Sequence, residues 1–360
     1  MKFFKLVLLI LLIGEVGFAQ KFSNEFLAIG IDARARAMGN ATVASTNTVT
    51  AGFWNPAALA TIEEDGIQVG AMHTEQFAGV AKHDYLGAVL PLRSANRKIG
   101  ISLIRFGIDD IPNTLSLFEE DGTINFDNVV PFSAADYALF FSYGQRVNTN
   151  RGNLFVGGNA KVIYRQIGSF ASSWGFGLDA AALYKINDWK FGLVVRDAST
   201  TFNAWSFSLS EQERNVLSVT GNDLPINSVE RTQPQITLGI ARQFTINQKW
   251  SLLAELDAIA TTDGKRNTLL SADPISVDIA FGVEFGFKEL LYLRAGINNF
   301  QKDDNLFTQD FLTIQPNIGI GLHIAPFRVD YAFTDVGEQR NQTFSHVISL
   351  IFDIRRKRAL

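Results

Sequence analysis

Along most of this chain apolar and polar positions alternate with a period of two. Between Ile275 and Lys288, the residues Ile275, Val277, Ile279, Phe281, Val283, Phe285 and Phe287 are separated by Ser276, Asp278, Ala280, Gly282, Glu284, Gly286 and Lys288. Successive side chains of a strand point to opposite faces, so this stretch has one apolar face and one polar or small face. Trp174 to Lys185 repeats the pattern, with Trp174, Phe176, Leu178, Ala180, Ala182 and Tyr184 set against Gly175, Gly177, Asp179 and Lys185. Fourteen such segments can be marked: 66–73, 82–92, 97–107, 134–148, 151–165, 173–185, 189–197, 233–246, 249–260, 275–288, 291–300, 311–323, 325–334 and 343–353. Their connections differ in length by turns. Tight ones at 93–96, 149–150, 186–188, 247–248, 289–290 and 324 alternate with longer ones at 74–81, 108–133, 166–172, 198–232, 261–274, 301–310 and 335–342.

Two solvents fit such alternation. In a soluble sandwich the apolar face is the core, whereas in a membrane barrel it meets lipid and the polar and glycine face lines the lumen. The strands are about 10 residues long, as a tilted crossing requires. Aromatics (Trp174, Tyr184, Trp189, Trp250, Tyr292, Tyr331) fall near strand ends, where an interfacial belt lies. Short turns on one side and long loops on the other are the asymmetry of outer-membrane barrels, and an even strand number returns both termini to the same side. The expected fold is an all-β transmembrane antiparallel barrel of about fourteen strands, carrying a short helical or irregular N-terminal plug.

The first residues fit export. Lys2 and Lys5 precede the apolar run Leu6–Ile13, and Gly17 and Ala19 place small residues before a cleavage site. That run is shorter than the roughly 20 residues of a spanning helix. The division read from the sequence is a signal peptide over 1–19, a plug or periplasmic segment over 20–62, the barrel over 63–354 and a basic tail over 355–360. The cell outer membrane is the expected location, with outer-membrane lipid as the surrounding partner. Composition narrows the rest. Net charge is −4 with only 19% charged residues, which gives no reason to expect nucleic acid. Zero cysteines exclude thiol chemistry, cysteine metal sites and a lipid anchor on cysteine.

Residues 21–62 do not alternate. Asn55 before Pro56 reads as an N-cap with proline at the first helical position, predicting a short helix through Leu59. Such an irregular stretch leaves backbone groups that lipid cannot satisfy, so it belongs in the lumen or beneath it. Two readings of Arg34 and Arg36 stand side by side. They find acidic partners among the inward Asp179, Glu255, Asp257, Asp278 and Glu284, or they are solvated at the periplasmic mouth.

The stretch Gly30–Ala41 (Gly30, Ala33, Arg34, Arg36, Met38 and Gly39 within it), followed by Ala51–Ala60 with Trp54, Asn55 and Pro56, resembles the N-terminal signature of the PorV/PorQ family. The closing stretch Arg328–Phe333 and Phe344–Leu350 is similar to that family's last hairpin. Between these ends the likeness is one of pattern and length. The resemblance places the chain in the broader group of long-chain fatty-acid transporter barrels, which implies fourteen strands and an N-terminal plug. It also implies a role in type IX protein secretion, beside a translocon or receiving secreted cargo proteins. The tail departs from the family, with Arg355, Arg356, Lys357 and Arg358 where such barrels often end on an aromatic.

Candidate chemistry is sparse. Ser345 and His346 invite a hydrolase reading, but adjacent strand residues face opposite ways and cannot form a nucleophile–base pair. The acidic loop clusters Asp109–Asp110, Glu119–Gly122 and Asp303–Asp304 read as solvated turns rather than a metal site. No enzyme activity and no cofactor is expected. The long loops are where binding on a rigid barrel concentrates. Ile111, Leu117, Phe118 and Phe132 in the first, and Phe202, Trp205 and Phe207 in the second, offer apolar surface that a partner, a ligand or another loop would have to cover. Two functions follow, a protein-docking component of type IX secretion and a channel for hydrophobic solutes such as fatty acids. The dense mix of inward charges, from Lys161 and Asp179 to Arg294 and Asp330, favours the first.

Overall fold

The computed structural model describes residues 23–62, 66–76, 78–92, 96–117, 119, 123–303, 311–335 and 344–355. Residues 1–22 and 356–360, on which the expected signal peptide and most of the basic tail fall, lie outside them. The alternating segments all form strands. On one side of the chain these are β1 (Gly66–Gln76), β2 (Ala81–Pro91), β3 (Arg97–Asn113), β4 (Val130–Val147), β5 (Asn153–Ile167), β6 (Ala171–Ile186) and β7 (Trp189–Arg196). Two short strands follow, β8 (Thr201–Phe207) and β9 (Ser228–Thr232). The remainder are β10 (Gln235–Thr245), β11 (Trp250–Thr261), β12 (Ser276–Phe287), β13 (Leu291–Asp303), β14 (Phe311–Ile324), β15 (Phe327–Asp335) and β16 (Phe344–Arg355).

Each wall strand pairs antiparallel with its neighbours, and β1 pairs with β16 from Ile67↔Ile354 to Glu75↔His346, which closes the sheet. β8 continues the line of β7 along β6 after an interruption at Asp197–Thr200, and β9 leads into β10 across Gln233–Pro234. Counted as wall strands, the barrel has fourteen.

The faces settle which solvent the alternation serves. On β6, Trp174, Phe176 and Leu178 point outward and are 62%, 53% and 41% exposed, while Ser173 and Asp179 on the other face are buried. Leu238, Leu293, Ile318 and Ile348 are likewise exposed, and Lys161, Glu255, Asp257, Arg294 and Asp330 are buried. This inside-out distribution suits a wall with lipid outside and a filled polar lumen within. Trp189 and Trp250 stack on neighbouring rings and Phe327 meets Phe352 at a tilt at the short-turn end, and Tyr164 meets Trp174 at 4.7 Å towards the other.

The loops differ from the sequence reading in three places. The long connection at 108–133 is shortened at both ends, because β3 runs on to Asn113 and β4 starts at Val130, pairing Ile111 with Phe132 above a bulge at Ile108–Ile111. The connection at 198–232 is a hairpin of β8 and β9 bridged by an exposed helix (Glu211–Val219), which Ser210 and Glu213 cap reciprocally. The connection between β5 and β6 shrinks to three residues, Gly168–Phe170, so not every loop at that end is long.

Candidate functional site

Residues 23–62 lie inside the barrel. After a 3-10 turn at Glu25–Leu27 come two short helices, α1 (Ala33–Ala37) and α2 (Ala51–Trp54), and a second 3-10 turn at Pro56–Thr61. The local sequence explains each piece. The Asp32 carboxylate accepts from Arg34 N (3.2 Å) and starts α1. Asn55 accepts from Ala57 N (3.1 Å) ahead of Pro56, so the expected cap is present, but it opens a 3-10 turn. Gly30 and Gly39 sit at φ +84° and +64°, and a Cβ on Gly39 would fall 2.8 Å from the Ile297 backbone.

Small residues let this plug touch the wall. Ala33, Ala35, Ala37, Ala51, Ala57 and Ala58 are buried, and several inward wall positions opposite the plug are glycine. A Cβ on Gly296 would lie 2.1 Å from Met38 C, one on Gly157 2.5 Å from Ala57 N, and one on Gly192 2.7 Å from Val43 O. Sequence reasoning saw these glycines only as the small face of a strand. Their role depends on which backbone lies against them.

Charge holds the first half of the plug. Arg34 Nε donates to Glu284 Oε2 (2.8 Å) and Nη2 to Glu284 Oε1 (3.3 Å), while Thr42 and Ser45 accept from its other N–H groups. Glu284 also accepts from Arg294 Nε (2.6 Å), and Arg294 Nη1 donates to Asp330 (2.6 Å), extending the network along the wall. Burial opposes the Arg34 charge, but the Glu284 carboxylate beside it outweighs that and raises its pKa. Three successive backbone N–H groups are clasped by two carboxylates of β11: Thr42 and Val43 donate to Asp257 Oδ2 (2.9 and 3.1 Å), and Ala44 donates to Glu255 Oε1 (2.6 Å). Burial, then the charge of Asp330, pushes the Asp32 carboxyl up to about 6 from 3.8.

Arg34 thus finds one of the acids expected for it. Arg36 does not. Its guanidinium donates to the carbonyl of Ile29 and to Thr334 Oγ1 (3.2 Å), and burial pulls its pKa down to about 10. Both arginines are buried, which excludes solvation at the mouth. Trp54 Nε1 donates to Ile31 O (3.1 Å), and Arg196 of β7 lies 4.4 Å over the Phe53 ring.

Two cavities flank the plug and share no lining residue. A vestibule of about 990 Å³ opens at the short-turn end, bounded by Arg34, Lys190, Trp250, Glu284, Tyr292 and Arg328 among others. A smaller cavity of about 80 Å³ lies on the loop side, against Asn24, Phe53, Lys161, Asp197 and Gln233. There Lys161 Nζ bridges Asp179 (2.9 Å) and Asp197 (2.7 Å), next to the interruption between β7 and β8.

The loop-side aromatics separate. Phe132 packs edge-on against Phe170 (5.1 Å), Trp205 faces inward under Arg165, and Phe202 faces outward under Arg231. Leu117 and Phe207 are half-buried, and Phe118 lies outside the described residues. The most exposed apolar side chains of this region, Phe126, Val219 and Ile226, were not singled out from the sequence. They are isolated among polar neighbours and break no periodic pattern. Ser345 points into the lumen, whereas His346 on the outer face meets the Tyr331 hydroxyl (2.8 Å).

No protein-family model and no curated protein matches the chain. Solved structures do. The Pseudomonas putida toluene transporter TodX superposes with a TM-score of 0.54 at 14% identity, over 90% of this chain and 97% of that one. The CymD monoaromatic hydrocarbon channel gives 0.55 at 12% identity, over 93% and 100%, and a Pseudomonas aeruginosa FadL homologue 0.52 at 14%, over 90% and 98%. At these identities the likeness establishes the fold alone, a fourteen-stranded antiparallel barrel. The finer resemblance to the PorV/PorQ family finds no counterpart among these matches.

Proposed function

We propose that this barrel is a gated outer-membrane passage for a small hydrophobic solute. The carrying observation is that the lumen is occluded by the chain's own N-terminal segment, whose first half adds ion pairs and carboxylate–backbone bonds to its packing against the wall. Ion pairs and carboxylate–backbone bonds stay satisfied by solvent or by each other when a segment shifts, so they suit a closure that opens. This corrects the weight given to the inward charges in the sequence, where they favoured docking over passage. The charges occupy the plug interface and leave the apolar outer face and the loop-side residues Phe126, Phe202 and Ile226 to meet a hydrophobic solute. Solved barrels of the same fold are a toluene transporter and a monoaromatic hydrocarbon channel, which supports the same reading.

The test exploits the absence of cysteine. Ala33 N donates to Ser349 Oγ at 2.7 Å, so the pair Ala33→Cys and Ser349→Cys pins α1 to β16 when oxidised. Uptake of radiolabelled toluene by cells carrying the pinned barrel is expected to fall about tenfold and to recover with reductant. Equal uptake in pinned and reduced barrels, or none above cells lacking the protein, would sink the reading.

A second reading, a docking component of type IX secretion, rests on the resemblance of the two chain ends and on the exposed Phe126, Val219 and Ile226 outside the wall. A pull-down of the tagged protein from detergent-solubilised outer membranes tests it. Recovery of a translocon or of secreted cargo that Phe126→Ser with Ile226→Ser abolishes, while toluene uptake persists, would install docking in place of transport.

A further inference from the structure

We propose that the lumen holds a small monovalent anion, a halide or a formate-sized carboxylate, against Arg36. Unlike Arg34, this arginine meets, among the described residues, two neutral acceptors, the Ile29 carbonyl and the Thr334 hydroxyl. A buried guanidinium without a counter-charge is costly.

The wall around it is set up to receive the missing charge. Thr334 of β15 stands opposite Ser345 of β16, and Glu75 opposite His346, which brings Gln76 of β1 beside Ser345 on the inner face. Thr74 pairs with His83 and Gln76 with Ala81, so His83 lies diagonal to Gln76 on that same face. Gln76, His83 and Ser345 are each no more than 1% exposed. None of their side-chain nitrogen or oxygen atoms has a hydrogen-bond partner among the described residues: Gln76 Nε2 and Oε1, both ring nitrogens of His83, and Ser345 Oγ. Unpartnered atoms are rare in protein interiors, and here they occur together.

Their chemistry sorts towards an anion. The Arg36 N–H groups, the Gln76 amide, the Ser345 hydroxyl and one His83 N–H in either tautomer are donors. What the set lacks, among the described residues, is a charged acceptor. Phe26 of the plug and the adjoining Phe106 belong to the apolar cluster on this side of the lumen, and Phe106 meets the His83 ring at 5.8 Å. Such surroundings keep the effective dielectric low and strengthen the pairing. Full burial admits only a small ion.

The inference is independent of what the barrel carries, and its test involves no solute. The full-length protein in detergent is melted in sodium chloride, bromide, formate and gluconate at equal ionic strength and pH, gluconate being too bulky to enter. Melting is expected a few degrees higher in the small-anion salts, with Arg36→Gln erasing the difference and Gln76→Leu reducing it. The formate and halide arms show whether the site prefers a carboxylate. Crystals grown in bromide should show anomalous density within hydrogen-bond distance of Arg36 and Gln76. Equal melting in all four salts, or bromide crystals with only water at Arg36, would overturn the proposal. Should Arg36→Gln fail to assemble, the Gln76→Leu melt and the bromide density of the unaltered protein still decide.

Discussion

Both halves of the plug pack against inward glycines of the wall, but the polar bonds to the wall are concentrated in the first half. Residues 23–50 are tied to the wall by named polar bonds, Arg34 to Glu284, Thr42–Ala44 to Asp257 and Glu255, and Val49 N to Gln68 (2.7 Å). Residues 51–62, with Ala57, Ala58 and Leu59 fully buried, contribute one strong polar anchor, Asn55, whose amide donates to Val43 O (2.8 Å) and Ala182 O (3.3 Å). The rest of that half is close packing against the glycine face of β4 and β5. Polar clasps can be traded one at a time, whereas an interlocked apolar surface yields as a block. Under the proposed gating, the half joined directly to β1 serves as the anchor and the half beyond it, with the exchangeable polar bonds, as the part that moves.

The largest effect expected from breaking this contrast comes from Arg34→Leu. Removing one partner of a buried pair costs about 3–5 kcal/mol, and the lower end applies because Arg294 still neutralises Glu284. Planar-bilayer recordings should show current bursts that the unaltered barrel lacks, with the melting temperature of the wall little changed. Silent recordings would mean that the first half is not what closes the lumen.

Gly157→Val attacks the other half. A Cβ there would lie 2.5 Å from Ala57 N and 2.6 Å from Pro56 C, so backbone has to move, at about 1–3 kcal/mol. The expected signature is the reverse of the first, a lower melting temperature by heat-modified gel mobility without new current. If Gly157→Val opened the barrel as readily as Arg34→Leu, the division into anchor and movable part would fail.

The smallest effect sharpens the polar half. Because the folded-state pKa of Asp32 is raised, to about 6 from 3.8, its buried charge penalises docking above pH 6, and the penalty is relieved as pH falls between these values. Asp32→Asn keeps the side-chain oxygen that caps α1 and removes the charge. Cleavage of the plug by added protease should therefore change less between pH 7 and pH 4.5 in Asp32→Asn than in the unaltered protein. An identical pH response in both would place the titrating group elsewhere.

The strands were readable because lipid and lumen impose a strict period of two, and reading stopped where that period lost phase. The bulge at Ile108–Ile111, with Asp110 at φ +57°, shifts the register of β3 against β4, so the upper strand looked like loop. The interruption at Asp197–Thr200 hid β8 in the same way. Within the site, the plug was legible as an irregular, small-residue segment, and the Asn55–Pro56 cap as a local signal. Arg34 and Glu284 are 250 positions apart, and only closure of the barrel selects that acid over four others. That Arg36 receives none of them follows from the order of strands around the lumen, which alternation does not encode.

The glycine face has a consequence for how such a sequence can change over time. At Gly296 the wall has room for Met38 and Gly39 only because neither strand nor plug carries an atom there, and Gly192 stands in the same relation to Val43. A methyl group acquired on either side has to be matched by loss of bulk on the other. Substitutions in the plug and at the inward glycines should therefore be inherited as pairs, and a plug grafted from a relative will seat only when the glycines opposite it are transplanted as well.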